Sequence, residues 1–506
     1  MAIPVVLVHG WSVHNTNTYG GLAKALEVLT AQQSLDIDIS QIWLGKYISF
    51  QDEVKLADIS RALEAAVQET LGALIASGQR FAVVTHSTGG PVVRDWWQRY
   101  YQEQKRPCPM SHLIMLAPAN FGSALAQLGK SSLSRISSFF DGGVEPGVGV
   151  LDWLELGSPE AFRLNQQWIA GGDSWRGSAP VYPFVLSGQS IDHKLYDHVN
   201  SYTGELGSDG VVRAAAANLN SNYLRLTQSP MQPVTMLIHG ARKNVLSGTL
   251  AVAENAQAPA TAFGLMAGRS HSGTRIGIMR SVKANATRHP TLDAIIRCLR
   301  VTDTGSYKAA VQAFADDTAQ LGKTELLDID KRWLGPDHVR IRDPHCMAIF
   351  RVSDDQGNPV AGFDLLLLGP GGDPNRLPPG LIRDRQRNKR ATNTLTLYFN
   401  HSILNGSPAV IRHGEVLRPA LQGVSELGLR IIPHQLDGFA HYGVAELAVS
   451  AAWIDEFLKP HQTLLVDVVL RRVVRKNTTQ LTQKTPPEEF KGTLPGDPIA
   501  DSLIVE

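Results

Sequence analysis

Cysteine is scarce. The chain of 506 residues contains three, Cys108, Cys298 and Cys346. An odd number at wide spacing excludes a disulfide framework and reads as reduced, buried thiols in a protein made in the cytoplasm. Net charge is nearly absent too, with 48 Lys and Arg against 47 Asp and Glu. Without a domain-wide basic excess to neutralise phosphates, nucleic acid is excluded as a partner. No run of about 18 apolar residues occurs, so no segment reads as a transmembrane helix. The first strand pattern begins at Ile3, which leaves no room for a signal peptide. The expectation is therefore cytoplasmic synthesis, with any export by a leaderless secretion system. What is present is ordinary for a globular enzyme: 43% hydrophobic and 19% charged residues, in a chain long enough for two or more cores.

The informative stretch is Phe81-Ala82-Val83-Val84-Thr85-His86-Ser87-Thr88-Gly89-Gly90-Pro91-Val92-Val93-Arg94. An apolar, β-rich run ends in a serine, and glycines then lead into the pattern of an amphipathic helix. A strand, sharp turn and helix of this kind lift a serine hydroxyl clear of the sheet edge. The helix N-terminus beneath it offers N–H groups and a positive dipole end, both suited to a developing oxyanion. Serine is a weak nucleophile at neutral pH, so this reading requires a base and an orienting acid elsewhere. The usual G-x-S-x-G pattern is broken once, where Thr85 stands for the first glycine. A β-branched residue beside a strained serine is unusual, but threonine is small. A second strand pattern, Ile3-Pro4-Val5-Val6-Leu7-Val8, runs into His9-Gly10-Trp11.

These two segments, in this order, resemble the lipase-type α/β-hydrolases. His-Ser-x-Gly-Gly followed by Val-Val-Arg is close to their nucleophile elbow, and a His-Gly pair closes their early strand. The resemblance covers residues 1 to about 300 and implies an α/β fold on a parallel sheet, with Ser87 as nucleophile. It also implies an oxyanion hole from the backbone N–H groups of Trp11 and Thr88, and an acid followed by a histidine later in the chain. Gly207-Ser208-Asp209-Gly210-Val211-Val212 resembles the Asp-Gly-x-Val segment where bacterial lipases place the acid, which makes Asp209 the candidate. Asp192 and Asp197 compete from positions nearer the preceding strand pattern. His271, in Ala267-Gly268-Arg269-Ser270-His271-Ser272-Gly273, follows a short apolar strand and precedes a helix pattern, and is the candidate base. His239, at the end of another strand, is its rival. His193 and His198 flank Asp192 and Asp197, but their spacing matches no common ligand pattern and reads as a polar loop. The implied chemistry is attack of Ser87 on an ester carbonyl, with His271 as base, Asp209 as orienter and an acyl-enzyme released by water. It requires no metal and no organic cofactor.

Residues 1 to about 300 alternate strand runs with helical periods, the pattern of a parallel sheet. A helix is expected from Asp52 to about Ser77, with Ile59, Leu63, Val67, Leu71 and Leu74 on one face. Leu113-Ile114-Met115-Leu116 and the following Ala117-Pro118-Ala119-Asn120-Phe121-Gly122-Ser123 resemble the lipase segment that opens into the lid. Residues 123 to about 175, with Phe139, Phe140, Leu151, Trp153 and Leu154, read either as a cap lining an acyl groove or as a helical insertion with its own small core. Residues 301–339 read as a helical connector. Residues 340–476 read as an all-β, sandwich-like domain, with strand patterns at 348–363, 394–399 and 463–470. Residues 477–506 are rich in Thr, Gln, Pro and Gly and read as a flexible tail.

Two basic clusters lie in the β domain: Arg383, Arg385, Arg387, Lys389 and Arg390, and Arg471, Arg472, Arg475 and Lys476. They read as a solvated face or as contacts to an anionic lipid surface, where each cation contributes about 1 kcal/mol. Three functions compete. The first is a lipase or phospholipase acting at a membrane, supported by the apolar cap and the basic clusters. The second is a soluble carboxylesterase or thioesterase, and the third a hydrolase fold used as a binding scaffold. A leaderless lipase with an appended β domain is also similar in layout to bacterial lipases delivered as toxins by the type VI secretion system. That layout implies a secretion-system or immunity partner.

Overall fold

The computed structural model describes residues 2–8, 19–42, 53–128, 147–171, 178–192, 204–238, 240–330 and 338–474. Among them, six strands form a parallel sheet: β1 (Ile3–Val8), β2 (Ile37–Ile42), β3 (Phe81–His86), β4 (Met110–Leu116), β5 (Tyr182–Gly188) and, much later in the chain, β9 (Ala262–Met266). Their order is β2-β1-β3-β4-β5-β9. A parallel sheet is covered on both faces, so its strands are apolar runs rather than alternations. Every residue of β3 and of β5 is buried. Successive residues feed opposite layers. Val6, Val83, Leu113 and Met115 pack with helices α2 (Leu56–Ala76) and α3 (Gly89–Trp97). Val5, Ala82, Val84 and Ile114 pack with α1 (Leu22–Gln32) and the helix Pro290–Leu299.

Helix α2 is one-sided as its spacing predicts, burying Ile59, Leu63, Val67 and Leu71. Helix α3 differs from the expected amphipathic pattern, because all nine of its residues are buried. The helix Pro159–Ala170 supplies Phe162 and Trp168 to the core that α3 enters. The polar residues of α3 are paired in part, with Nε and Nη2 of Arg94 left without a hydrogen-bond partner among the described residues. The Arg94 guanidinium donates to Oδ1 of Asn120 (3.2 Å) and of Asn165 (3.0 Å). Asp95 accepts from Ser60 Oγ (2.8 Å) and Arg99 Nε (2.5 Å).

The second sheet has ten strands and departs from the expected division at residue 300. Between β5 and β9 the chain leaves the parallel sheet through β6 (Ser221–Gln228), β7 (Gln232–Ile238) and β8 (Ala241–Gln257). These join strands from the C-terminal third. β6 pairs parallel with Thr463–Leu470 over seven residues, from Ser221↔Thr463 to Thr227↔Val469. The 17-residue β8 pairs with β6 through its second half and with Val444–Ser450 nearer its middle. It thereby runs through both layers of a sandwich. The sandwich core interleaves Leu224 and Leu226 of β6 with Phe350, Leu397 and Val466 on one side and Phe363, Leu365 and Leu429 on the other. No seam separates the two halves, since Met347, Ile349, Tyr398 and Leu465 of the sandwich belong to the same apolar cluster as Val6, Trp96 and Phe121.

The segment expected as a connector is a helix, Thr304–Thr324, that is built into the hydrolase layer. It buries Tyr307 and Phe314 beside β5 and β9, and Tyr307 Oη donates to the Pro183 carbonyl at 2.7 Å. In the cap region, Leu151 and Trp153 sit in the main core. Phe139, Phe140 and the 477–506 tail lie outside the described residues.

A chain ending at residue 330 keeps β6 and β8 but loses the strands that flank them, leaving long unpaired edges. Such a truncation is expected to aggregate or to lack a cooperative thermal transition, as read by gel filtration and calorimetry. A soluble, cooperatively folding 1–330 fragment would overturn the interleaved description.

Candidate active site

The strand, turn and helix around Ser87 take the form the sequence predicts. β3 ends at His86, α3 begins at Gly89, and Ser87 between them has φ +54°. A left-handed conformation strains any residue with a Cβ. Here it is over-determined: the Ser87 N–H donates to the Leu116 carbonyl at 3.0 Å, and its own carbonyl accepts from Gly90 N at 3.1 Å. Thr85 is fully buried, and a Cβ at Gly89 would lie 2.0 Å from its Oγ1. The threonine side chain thus occupies the space that the bare backbone of Gly89 leaves open. The missing first glycine is accommodated by the second.

His271 is fully buried on the loop after β9. That loop is pinned by Ser270 N to the Ile276 carbonyl (3.0 Å), Ile278 N to the Ser270 carbonyl (2.8 Å) and Ser190 N to the Arg269 carbonyl (3.0 Å). His271 Nε2 lies 3.1 Å from Ser87 Oγ, and Nδ1 lies 3.0 Å from Asp209 Oδ2. The other carboxylate oxygen of Asp209 accepts the N–H groups of Val211 (3.0 Å) and Val212 (2.8 Å). Both Asp209 oxygens therefore face N–H donors, which leaves Nδ1 as the protonated nitrogen of His271 and Nε2 as the acceptor of the serine proton. The His271 N–H donates to the Asp209 carbonyl at 2.9 Å, closing a second link between the two loops. His86, the residue before the serine, donates from Nε2 to the His271 carbonyl at 3.1 Å, with the two rings 4.7 Å apart. Nothing in the one-dimensional pattern marks His86 for this contact, because it joins residues 185 positions apart.

The structure thus brings Ser87, His271 and Asp209 into one hydrogen-bonded chain. Thr88 follows Ser87 at the N-cap of α3. Trp11, Asp197, His193, His198 and His239 lie outside the described residues. Asp192 accepts from Arg275 Nη2 at 2.6 Å instead of joining the chain. Among the described residues no group of three or more His, Cys, Asp or Glu is placed to hold a metal ion.

The first basic cluster lies mostly at the surface, and three of its members also make contacts within the protein. Arg387 donates to the carbonyls of Ala361, Phe363 and Thr392 and lies over the Phe363 ring. Arg390 pairs with Asp152 at 2.6 Å, and Lys389 Nζ donates to the Gln127 carbonyl. Arg383, Arg385, Lys389 and Arg390 are all exposed. Of the second cluster, Arg472 pairs with Asp354 at 3.1 Å, while Arg475 and Lys476 are outside the described residues.

A parallel sheet, a strained serine between β3 and α3, and a buried acid and histidine on the loops beyond β5 and β9 define an α/β-hydrolase. No protein-family model matches the chain, and no curated protein matches it. Among solved structures, phospholipase PlaB from Legionella pneumophila is 39% identical, with 97% of this chain and 98% of that one covered, at a TM-score of 0.83. The same phospholipase in complex with thio-NAD is 39% identical over 98% of this chain and 99% of that one, with a TM-score of 0.82. The chain belongs to the phospholipase PlaB family and is a carboxylic ester hydrolase.

The fit between Thr85 and Gly89 gives a test. Gly89→Ala places a methyl group against Thr85 and is expected to cost ~3 kcal/mol or more, by overpacking. Thr85→Gly in the same chain is expected to restore most of that loss. Denaturant melts of the two single variants and the double variant measure the coupling, and additive effects would refute it.

Proposed function

We propose that this enzyme hydrolyses the carboxylic esters of phospholipids through Ser87 as nucleophile, His271 as general base and acid, and Asp209 as the orienting carboxylate. One observation carries the reading: the continuous chain from Ser87 Oγ to His271 Nε2 at 3.1 Å and from His271 Nδ1 to Asp209 Oδ2 at 3.0 Å. In this mechanism Ser87 passes its proton to Nε2 as Oγ forms a bond to the ester carbonyl carbon. Asp209 stabilises the imidazolium that results. The oxyanion is assigned to the start of α3, with the Thr88 N–H and, by family resemblance, the Trp11 N–H as its donors. Each such donor is worth about 10²–10³ in rate. Collapse of the tetrahedral intermediate breaks the ester C–O bond, and His271 returns the proton to the leaving alcohol. Water, deprotonated by His271, then cleaves the acyl-enzyme and regenerates Ser87.

The preference for phospholipid rests on the relationship to PlaB across nearly the whole chain. Docking to an anionic bilayer through the basic cluster would use Arg383, Arg385, Lys389 and Arg390 as its exposed members. The resemblance in layout to type VI secretion effectors depends on a β domain appended to a complete hydrolase, and the interleaving of β6–β8 removes that support for a secretion-system or immunity partner.

The test is incubation of the protein and a Ser87→Ala variant with mixed phospholipid liposomes, followed by mass spectrometry of the products. Fatty acid and lysophospholipid are expected from the native protein, with a fall of ~10⁴-fold or more in the variant. Serine-dependent cleavage of short soluble esters with no lipid release would leave a soluble esterase instead.

A further inference from the structure

We propose that Asp384 and Tyr398, both on the C-terminal sandwich, are positioning residues for Asp209 and act through Arg213 and the backbone at Leu206. This inference rests on the reading of Asp209 as the orienting acid. Asp209 sits in a short loop that is closed on itself. The Asp209 N–H donates to the Val212 carbonyl at 3.1 Å, Ala214 N to the Gly207 carbonyl at 2.9 Å, and Ser208 Oγ to the Glu205 carbonyl at 2.8 Å. Arg213 clasps the loop's two ends, donating from Nε and Nη2 to the Glu205 carboxylate at 2.7 and 2.8 Å.

The hydrolase holds this loop through Ser123 Oγ, which donates to the Val211 carbonyl at 2.6 Å, and through the His271 N–H on the Asp209 carbonyl at 2.9 Å, and the sandwich adds a second set of contacts. Arg213 Nη2 also donates to Asp384 on the strand Ile382–Arg387. Its guanidinium lies 4.1 Å from the centre of the Tyr398 ring on the strand Thr394–Asn400. Tyr398 Oη donates to the Leu206 carbonyl at 3.0 Å. Gly207, at φ +77°, lets this approach happen, since a Cβ there would lie 2.4 Å from Tyr398 Oη. Gln386 Nε2 in turn holds the Asp384 carboxylate at 2.8 Å. Arg213 is 1% exposed, so this cation is buried with two carboxylates and an aromatic face around it. Buried ion networks of this kind hold one geometry while their charges stay paired, and lose it when a partner is removed. A displacement of about 1 Å at Asp209 is enough to cost ~10²-fold in turnover.

A structural staple alone would also weaken the fold when cut, so the experiment separates position from stability. Asp384→Asn keeps the shape and removes the charge. Tyr398→Phe removes only the hydroxyl and is the gentler variant should the first fail to fold. Each is made in the native chain and in an Asp209→Asn chain. Activity is read as turnover on phospholipid liposomes and as the rate at which a fluorophosphonate labels Ser87. A residue that works through Asp209 has nothing left to position once that carboxylate is gone. The expected result is a fall of about 10–100-fold for Asp384→Asn in the native chain with KM unchanged, shrinking to less than about threefold in the Asp209→Asn background. The acid limb of the pH profile is expected to move to lower pH, because a displaced carboxylate stabilises the imidazolium less. Equal losses in both backgrounds would overturn the positioning role and leave a staple. Full activity of Asp209→Asn itself would instead remove the reading of Asp209 as the acid, and the proposal with it.

Discussion

The parallel pairing of β6 with the strand Thr463–Leu470 is the constraint on which the rest of the molecule depends. Parallel strands need a long crossover, and here the crossover holds most of the C-terminal half of the chain. Because β6 and β8 lie between Asp209 and His271 in sequence, the two loops that carry these residues leave from and return to the sandwich side of the protein. The His271 N–H to Asp209 carbonyl bond then joins them across the top of the parallel sheet. Hydrolase and sandwich are two sheets of one folded unit, with a shared core that runs from Trp96 to Tyr398.

What the chain's text discloses follows how local each feature is. The elbow at Ser87 is legible because strand, serine, glycine pair and helix are contiguous, and a sharp turn needs small residues within a few positions. Asp209 and His271 are legible as candidates because loops after strands have recognisable composition, though their hydrogen bonds span 62 and 184 positions. Sheet membership is not legible for β6–β8. An alternating strand reads the same whichever sheet it joins, and its partner here lies more than 200 residues away. The burial of α3 is hidden for a related reason. Arg94 and Asp95 mark a solvent face by composition, and only the side chains of Asn120, Asn165, Ser60 and Arg99, brought together by folding, make them core residues. The basic cluster at 383–390 reads as a charged surface, and Arg383, Arg385, Lys389 and Arg390 are exposed, while Arg387 turns toward the carbonyls of Ala361, Phe363 and Thr392.

The elbow shows how a departure from a family pattern is absorbed. Thr85 brings a hydroxyl to a fully buried place, and among the described residues that hydroxyl has no hydrogen-bond partner. An unsatisfied buried hydroxyl costs about 1–3 kcal/mol. The offset is steric, since its Oγ1 fills the gap over Gly89 and removes a void beside the serine. Strain at Ser87 and an orphan donor at Thr85 thus lie two residues apart, where the surrounding β-strands hold the backbone most firmly.

The strand order also sets a timetable. During synthesis the chain emerges from its N-terminus, so the segment with Ser87 and the loop with Asp209 are available long before Thr463–Leu470 leaves the ribosome. Until that strand arrives, β6 has no neighbour on one side, and until Ile382–Arg387 and Thr394–Asn400 arrive, Arg213 lacks Asp384 and Tyr398. Pairings this distant in sequence form late and slowly. The contacts that Arg213 makes with Asp384 and Tyr398 are therefore among the last to form around the Asp209 loop.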